Sequence, residues 1–276
     1  MEHSRQPTAI VKIGTDVMTD GEGRLDTNVM RNIVDQIMKV RTAGYRVLLV
    51  TSGAVATGRT DYKRKEKSDE TMNKKGMYAS SGQPLLMYKY HELLKKYGCS
   101  ANQFLVTREL FESQRSKTML GRLEEIFHDE RPGLPIFNEN DALADDEMRC
   151  TDNDELAGLL AEAVHAQVLF LLTNVDGLYR NLKNPMSLMR NIPYGMSEEE
   201  LQKFVSKGKS ANGSGGMPSK ITVGCKLRAL GIKTWMVNGT KPWIVPRVLL
   251  NSEKEGTEFA LPEPARVCVE RPVKDR

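Results

Sequence analysis

The chain has 276 residues, of which 39% are hydrophobic and 28% are charged. These fractions are typical of a globular enzyme, and a chain of this length can bury a substantial core. The net charge of +4 is the small difference between 40 basic and 36 acidic groups. Because a nucleic-acid-binding protein usually concentrates basic residues on one face, this balance favours a protein with no nucleic-acid partner.

The cysteines and the apolar runs indicate the cellular compartment of the protein. Cys99, Cys150, Cys225 and Cys268 lie far apart, without a C-x-x-C pair or a nearby pair of histidines. This spacing predicts reduced thiols in a cytoplasmic protein and no metal-ligating residues. No apolar run reaches the length of about 18 residues that a membrane span needs, and the N-terminal segment lacks the apolar stretch of a signal peptide. We therefore expect no membrane partner.

Short apolar runs alternate with longer amphipathic segments along the chain. The segment 27–44 has apolar residues at helical spacing and ends at Gly44, and the segment 153–166 contains strong helix formers after Asp152 or Asn153 as the cap. Six runs predict strands: 9–14, 46–50, 102–107, 134–138, 167–173 and 233–238.

The character of the predicted strands indicates the fold class. Strands that are apolar without alternation are covered on both faces, and helical crossovers between them favour parallel pairing. The sequence therefore predicts an α/β fold, a three-layer αβα sandwich with a mainly parallel central sheet. Ligands of such sheets bind beyond the carboxyl ends of the strands, so we expect the chemistry just after each strand.

The segment TSGAVATG (51–58) follows the second predicted strand and is unusually rich in small residues. Four explanations compete for it: a tight turn, a close helix packing, a backbone cradle for an anion, or a collar around a small substrate. The residues by themselves leave these alternatives open. The charge-rich segment 59–76 comes directly after it and predicts a surface loop, with a lid over the site as the alternative.

Lysines and glycines mark two further positions. Lys12 lies within an otherwise apolar strand, where an ammonium group is costly unless it meets an anion or reaches water. The segment GSGGMPSK (213–220) supplies unhindered backbone donors and places Lys220 in the first turns of the following helix. No P-loop motif and no protein-kinase motif occurs, so a phosphate site would need another arrangement.

In order and spacing, these motifs resemble those of the amino acid kinase family from about residue 8 to residue 260. The resemblance implies a single domain of that fold, with a glutamate-binding lobe over about 8–165, an ATP-binding lobe over about 166–260 and a short tail over 261–276. It is carried by six motifs: VKIGTDVMT, VLLVTSGAVATGR, IFNENDA, TDNDELAGLLA, LLTNVDGLY and GSGGMPSKI.

Within the family, the motifs are similar to those of enzymes that phosphorylate glutamate. The implied reaction is ATP-dependent phosphorylation of the γ-carboxylate of L-glutamate to L-glutamyl 5-phosphate, the first step of proline biosynthesis, with Mg²⁺ on the nucleotide. The resemblance further implies feedback inhibition by proline and a homo-oligomer.

The resemblance also assigns roles to individual residues. It implies a catalytic group of Lys12, Asp154 and Lys220, in which Asp154 holds the two lysines in position. The implied glutamate-binding residues are Ser52, Gly53, Ala54, Asn138, Asp141 and Asn153, with Asp141 on the substrate ammonium group and Asn153 on a carboxylate. The implied ATP-binding residues are Thr173, Asn174, Gly213, Ser214, Gly215, Gly216, Met217 and Lys220.

Three departures from the family pattern accompany the resemblance. The family usually has Thr-Asp where this chain has Thr173 and Asn174, and it has GDND where this chain has TDND at 151–154. Many members also carry a C-terminal domain of the PUA type, for which the segment after 260 is too short, so we expect a short form.

Three rival functions remain open from the sequence. Another kinase of the same fold would act on aspartate, acetylglutamate, carbamate or a phosphate monoester. A catalytically weak ligand sensor would keep the site without turnover, and the Asn174 departure favours it. A nucleic-acid-binding protein has only the basic segment 59–76 in its favour.

Overall fold

The structure, a computed structural model, describes residues 6–64, 71–143, 150, 152–205 and 216–262. Within these ranges a single eight-stranded sheet has the order β3-β4-β2-β1-β5-β7-β8-β6. All strand pairs are parallel except β7 with β8, which is antiparallel. The strands are β1 (Thr8–Ile13), β2 (Arg46–Val50), β3 (Ser100–Val106), β4 (Gly133–Glu139), β5 (Val168–Thr173), β6 (Asn191–Ile192), β7 (Lys233–Asn238) and β8 (Thr257–Phe259).

Helices cover both faces of this sheet, which confirms the predicted three-layer α/β fold. No helix of the described ranges is long and apolar enough to cross a membrane. A short 3₁₀ helix spans Pro185–Ser187. The α-helices are α1 (Thr15–Met18), α2 (Thr27–Thr42), α3 (Ala54–Asp61), α4 (Met72–Lys95), α5 (Glu109–Glu112), α6 (Arg115–His128), α7 (Asn153–Ala163), α8 (Glu198–Gln202), α9 (Met217–Ala229) and α10 (Ile244–Leu249).

The core lies in two layers, one on each face of the sheet. Alternate residues of a strand point to opposite faces, so Val11 and Ile13 pack in one layer and Ile10 packs in the other. The first layer is closed by α2, α4 and α10, and the second by α6, α7 and α9. Burial on both faces explains why the inner strands β1, β2 and β5 are almost continuously apolar.

The segment 59–76 differs from the predicted surface loop at both ends. Helix α3 continues to Asp61, and α4 begins at Met72, where the Thr71 hydroxyl accepts a hydrogen bond from the Lys74 backbone N–H. Residues 65–70 lie outside the described ranges, so the proposed lid stays a prediction. The prediction of a continuous loop is wrong because a capped helix start lies inside the charged stretch.

Helices α3 and α4 pack so closely that two glycines are required. A Cβ atom at Gly58 would lie 1.8 Å from the Tyr78 carbonyl oxygen, and one at Gly82 would lie 1.9 Å from the Ala54 carbonyl oxygen. Backbone atoms of both helices occupy that space. Close helix packing is therefore a correct explanation for the small residues at the end of TSGAVATG.

Candidate active site

Three buried charged side chains meet beyond the carboxyl end of the sheet. Lys12 lies near the end of β1, Asp154 in the first turn of α7 and Lys220 in the first turn of α9. The Lys12 Nζ atom lies 2.6 Å from Asp154 Oδ1, and the Lys220 Nζ atom lies 2.8 Å from Asp154 Oδ2. The aspartate side chain is fully buried and neither lysine side chain is more than 9% exposed. The structure thus brings the three predicted catalytic residues into one cluster.

The electrostatics of this cluster keep the Asp154 carboxylate ionised beside the two lysines. Burial and the repulsion of Lys220 lower the pKa of Lys12, and the attraction of Asp154 opposes that effect. Burial raises the pKa of Asp154, but the two lysines outweigh it and hold that pKa below its usual value. Asp154 is therefore ionised at neutral pH and suited to organise the lysines, while its affinity for a proton is too low for a general base.

Helix capping fixes the position of Asp154. The Asp152 Oδ1 atom accepts hydrogen bonds from the backbone N–H groups of Asp154 at 2.7 Å and Glu155 at 3.0 Å. Of the two caps that the sequence allowed, Asp152 is the N-cap and Asn153 is the first helical residue.

A second cluster joins three of the predicted glutamate-binding residues. The Asn153 Nδ2 group donates to Ser52 Oγ at 3.1 Å and to Asn138 Oδ1 at 3.0 Å. Ser52 follows β2, Asn138 lies near the end of β4 and Asn153 starts α7. Asn153 and Asp154 are consecutive residues in the first turn of α7, so this polar cluster adjoins the charged cluster.

The other three predicted glutamate-binding residues follow the same two strands, β2 and β4. Gly53 has a φ of 102°, a left-handed conformation that favours glycine, and it precedes Ala54 as the N-cap of α3 without a side-chain hydrogen bond. Asp141 lies in the turn after β4, where its backbone oxygen approaches Gly76 of α4. The roles of these three residues stay predictions.

The predicted nucleotide-binding residues lie at the ends of β5 and α9. Thr173 is buried at the end of β5, and Asn174 is exposed directly after it. Gly216 is the N-cap of α9, before Met217, and the first turn of that helix has no side-chain cap among the described residues. Helix N-termini of this kind offer backbone N–H groups to an anion. The predicted residues Gly213, Ser214 and Gly215 lie outside the described ranges.

Sequence reasoning missed a polar contact between the loop after β5 and the end of β7 with the loop that follows it. Asp176 Oδ1 accepts a hydrogen bond from Asn238 Nδ2 at 2.9 Å and forms an ion pair with Lys241 at 3.0 Å. The hydrogen bond from Asn238 and the ion pair hold the pKa of Asp176 below its usual value, against the opposing effect of burial. The signal was available, since Asp176 stands in the motif LLTNVDGLY, but only the topology shows that β7 adjoins β5.

Comparison with known proteins identifies the family. Residues 7–238 match the model of the amino acid kinase family. The chain belongs to the amino acid kinase family.

Several relatives of this chain have names that state an enzymatic activity. A protein named glutamate 5-kinase from Bacteroides thetaiotaomicron is 34% identical over 241 residues, which cover 87% of this chain and 66% of that protein. Glutamate 5-kinase from Chlorobaculum tepidum is 33% identical over 263 residues, covering 95% of this chain and 72% of the relative. Glutamate 5-kinase from Symbiobacterium thermophilum is 34% identical, and 95% of its length is covered. The chain thus spans about two thirds of some relatives and nearly all of another.

Solved structures support the fold. The isopentenyl phosphate kinase of T. acidophilum superposes with a TM-score of 0.62 at 16% identity, over 92% of this chain and all of that chain. UMP kinase from Ureaplasma parvum superposes with a TM-score of 0.57 at 12% identity over the same shares. At these identities the likeness concerns the fold alone.

Proposed function

We propose that the chain transfers the γ-phosphoryl group of ATP to the γ-carboxylate of L-glutamate, forming L-glutamyl 5-phosphate and ADP as the first step of proline biosynthesis. The observation that carries this proposal is the cluster of Lys12, Asp154 and Lys220 beside the polar cluster of Ser52, Asn138 and Asn153. The relatives named glutamate 5-kinase support the choice of substrate.

The chemistry needs charge stabilisation more than proton transfer. A γ-carboxylate is already ionised near neutral pH, so it attacks the γ-phosphorus without a general base. A carboxylate oxygen–phosphorus bond forms while the bond from that phosphorus to the β,γ-bridging oxygen breaks, and ADP leaves with the electron pair. Lys12 and Lys220 stabilise the negative charge on the transferring group, and Asp154 holds both ammonium groups in place.

Magnesium accompanies the nucleotide in this proposal. No group of three or more His, Cys, Asp or Glu side chains among the described residues is arranged to hold a metal ion. Mg²⁺ is commonly bound through substrate phosphates together with one or two carboxylates, so in this proposal the ATP phosphates supply most of its ligands. When bound, the ion would neutralise phosphate charge.

The same proposal includes the predicted binding residues, compartment, oligomeric state and inhibitor. Gly213 to Lys220 and the pair Thr173 and Asn174 bind the nucleotide, and Asp141 binds the substrate. The enzyme is cytoplasmic and homo-oligomeric, and proline inhibits it. The product is an acyl phosphate, which water attacks readily, so a lid within 59–76 would protect it.

A trapping assay tests the proposed function. Purified protein receives ATP and Mg²⁺ with glutamate, aspartate, UMP or no acceptor, and ADP and hydroxylamine-trapped acyl phosphate are both measured. We expect both products with glutamate, and at least about tenfold less with aspartate because it is one methylene shorter. Trapped product with aspartate alone, or ADP with UMP alone, would identify another kinase of the fold. Glutamate binding by calorimetry without turnover would identify a sensor.

A further inference from the structure

Gln83 lies outside every motif identified in the sequence, yet it contacts the polar cluster of Ser52, Asn138 and Asn153. It lies on α4 and is only 7% exposed. Its Oε1 atom accepts a hydrogen bond from Asn138 Nδ2 at 2.9 Å. Asn138 in turn accepts from Asn153, so three amide side chains form a continuous chain that ends at Ser52.

The hydrogen bonds in this chain have one direction. A side-chain amide has one acceptor oxygen and one donor NH₂ group. The NH₂ group of Asn138 donates to Gln83, so the Asn138 Oδ1 atom faces the NH₂ group of Asn153. The same oxygen also accepts from the Glu139 backbone N–H at 3.0 Å. The Gln83 acceptor and the Glu139 backbone N–H therefore act together to keep the Asn138 oxygen turned toward Asn153.

The same direction determines what the chain offers to a substrate. Both hydrogens of the Asn153 NH₂ group are used, by Asn138 and by Ser52. The Asn153 Oδ1 atom is left as a buried acceptor without a partner among the described residues. Ser52 accepts through its oxygen and keeps its own O–H for donation. An acceptor and a donor side by side match the neighbouring ammonium and carboxylate groups of an α-amino acid.

We propose that Gln83 is a positioning residue that sets the direction of this amide chain, so that Asn153 Oδ1 receives the substrate ammonium group and the Ser52 hydroxyl donates to its α-carboxylate. This inference rests on the proposed function. It pairs Asn153 with the ammonium group of the substrate, whereas the resemblance implied a carboxylate of the substrate.

The reversed direction would be the wrong one for an amino acid. Without the acceptor of Gln83, the buried Asn138 NH₂ group loses its partner and regains one by turning toward Asn153, which must then turn its own oxygen inward. The Asn153 NH₂ group would face the ammonium group of the substrate, and the Glu139 backbone N–H would lose an acceptor. Both changes are unfavourable, because a buried donor without an acceptor is costly.

Two variants of Gln83 and one matched control test the inference. Gln83→Met removes the amide at similar volume, whereas Gln83→Glu keeps an acceptor for Asn138. Gln36→Met is the control, because Gln36 is also a buried helical glutamine, 1% exposed, and accepts one hydrogen bond, from the Val245 backbone N–H at 2.9 Å. Gln36 lies on α2 and bonds to α10, outside the site.

The readouts are the KM values for glutamate and ATP, the melting temperature, and calorimetric binding of glutamate and of glutarate, which lacks the ammonium group. We expect Gln83→Met to raise the KM for glutamate about tenfold or more, to leave the KM for ATP within about twofold, and to reduce the preference for glutamate over glutarate. Gln83→Glu should restore most of the preference, and Gln36→Met should lower only the melting temperature.

The outcomes separate this inference from the proposed function. An unchanged KM for glutamate in Gln83→Met, or equal shifts of both KM values, would overturn the role of Gln83 while the reaction stands. If the unmodified protein binds glutamate without turnover, the proposed function fails, and the loss of preference over glutarate in Gln83→Met still supports the inference. An unmodified protein that binds no glutamate would overturn both.

Discussion

At the scale of single residues, the charged cluster contains one carboxylate and two ammonium groups, and their costs of burial differ. Each lysine has Asp154 as its partner, whereas Asp154 has both lysines. Removing one lysine leaves the carboxylate paired. Removing the carboxylate leaves two buried ammonium groups that repel each other, so the three positions should respond differently to mutation.

We predict that Asp154→Asn lowers the free energy of unfolding by about 3–5 kcal/mol, because it breaks two buried ion pairs at once. Lys12→Met and Lys220→Met should destabilise less and reduce kcat roughly a hundred- to thousandfold, through lost stabilisation of transition-state charge. Urea unfolding and steady-state kinetics measure the two effects. A lysine variant with kcat within about threefold of the unmodified protein would remove that lysine from the mechanism.

The lowered pKa of Lys12 predicts a pH dependence. The ammonium form stabilises phosphoryl charge, so kcat/KM for ATP should fall as pH rises through a pKa below the ordinary 10.5. This group's contribution to stability should rise over the same window, because the unfolded chain keeps that proton to higher pH. Circular dichroism at each pH separates the two trends.

Lys12→Arg serves as the comparison for this alkaline limb. Arginine keeps its charge throughout the range, so the residual activity of the variant should lack the limb. A limb that persists in Lys12→Arg, or that starts only above 10.5, would contradict the assignment.

At the scale of elements, the sequence predicted the strands well and the helix contacts poorly. The six predicted strands lie within about two residues of β1 to β5 and β7, and the inner ones are readily recognised because a parallel strand buried on both faces is continuously apolar. The short strands β6 and β8 have too few residues for a pattern. Gln83 was missed for another reason: its role depends on the approach of α4 to β4, which local patterns do not contain.

The packing of α3 against α4 supplies an element-scale prediction. Gly82→Ala places a methyl group against the Ala54 carbonyl oxygen, so the two helices must separate, and we expect a loss of about 1–3 kcal/mol in the free energy of unfolding. Ala54 starts α3 two residues after Ser52, so a shift of α3 should displace Ser52, and the KM for glutamate should rise while that for ATP changes little.

Gly121→Ala is the matched control for this prediction. Gly121 is a helical glycine of α6, and a Cβ atom added there would meet nothing within 4 Å, so alanine should stabilise the protein by about 0.5–1 kcal/mol. Equal effects of the two substitutions would show that the contact between α3 and α4 tolerates a side chain.

At the scale of the whole molecule, the order of strands explains where the site lies. β1 pairs with β2 on one side and with β5 on the other, so the chain reverses its direction of progress across the sheet at β1. Crevices form at such switch points, and Lys12 lies at this one. The Ser52 and Asn138 side chains come from the β2 and β4 side, and Thr173 comes from the β5 side. Two substrates can therefore approach Asp154 from two directions.

This arrangement predicts how ligands combine in their effect on thermal stability. Glutamate and a non-hydrolysable ATP analogue, each at about 100 times its Kd, should each raise the free energy of unfolding by about 2.7 kcal/mol, or Tm by roughly 5–10 °C, and together their shifts should add.

Proline shares the α-carboxylate and the cationic nitrogen of glutamate, so it should use the same Ser52 and Asn153 groups, but it has no γ-carboxylate to phosphorylate. Proline and glutamate together should then shift Tm little more than either alone, and excess glutamate should relieve inhibition by proline. Additive shifts for that pair would place proline at a separate site, and no shift at millimolar proline would show that the chain does not respond to it.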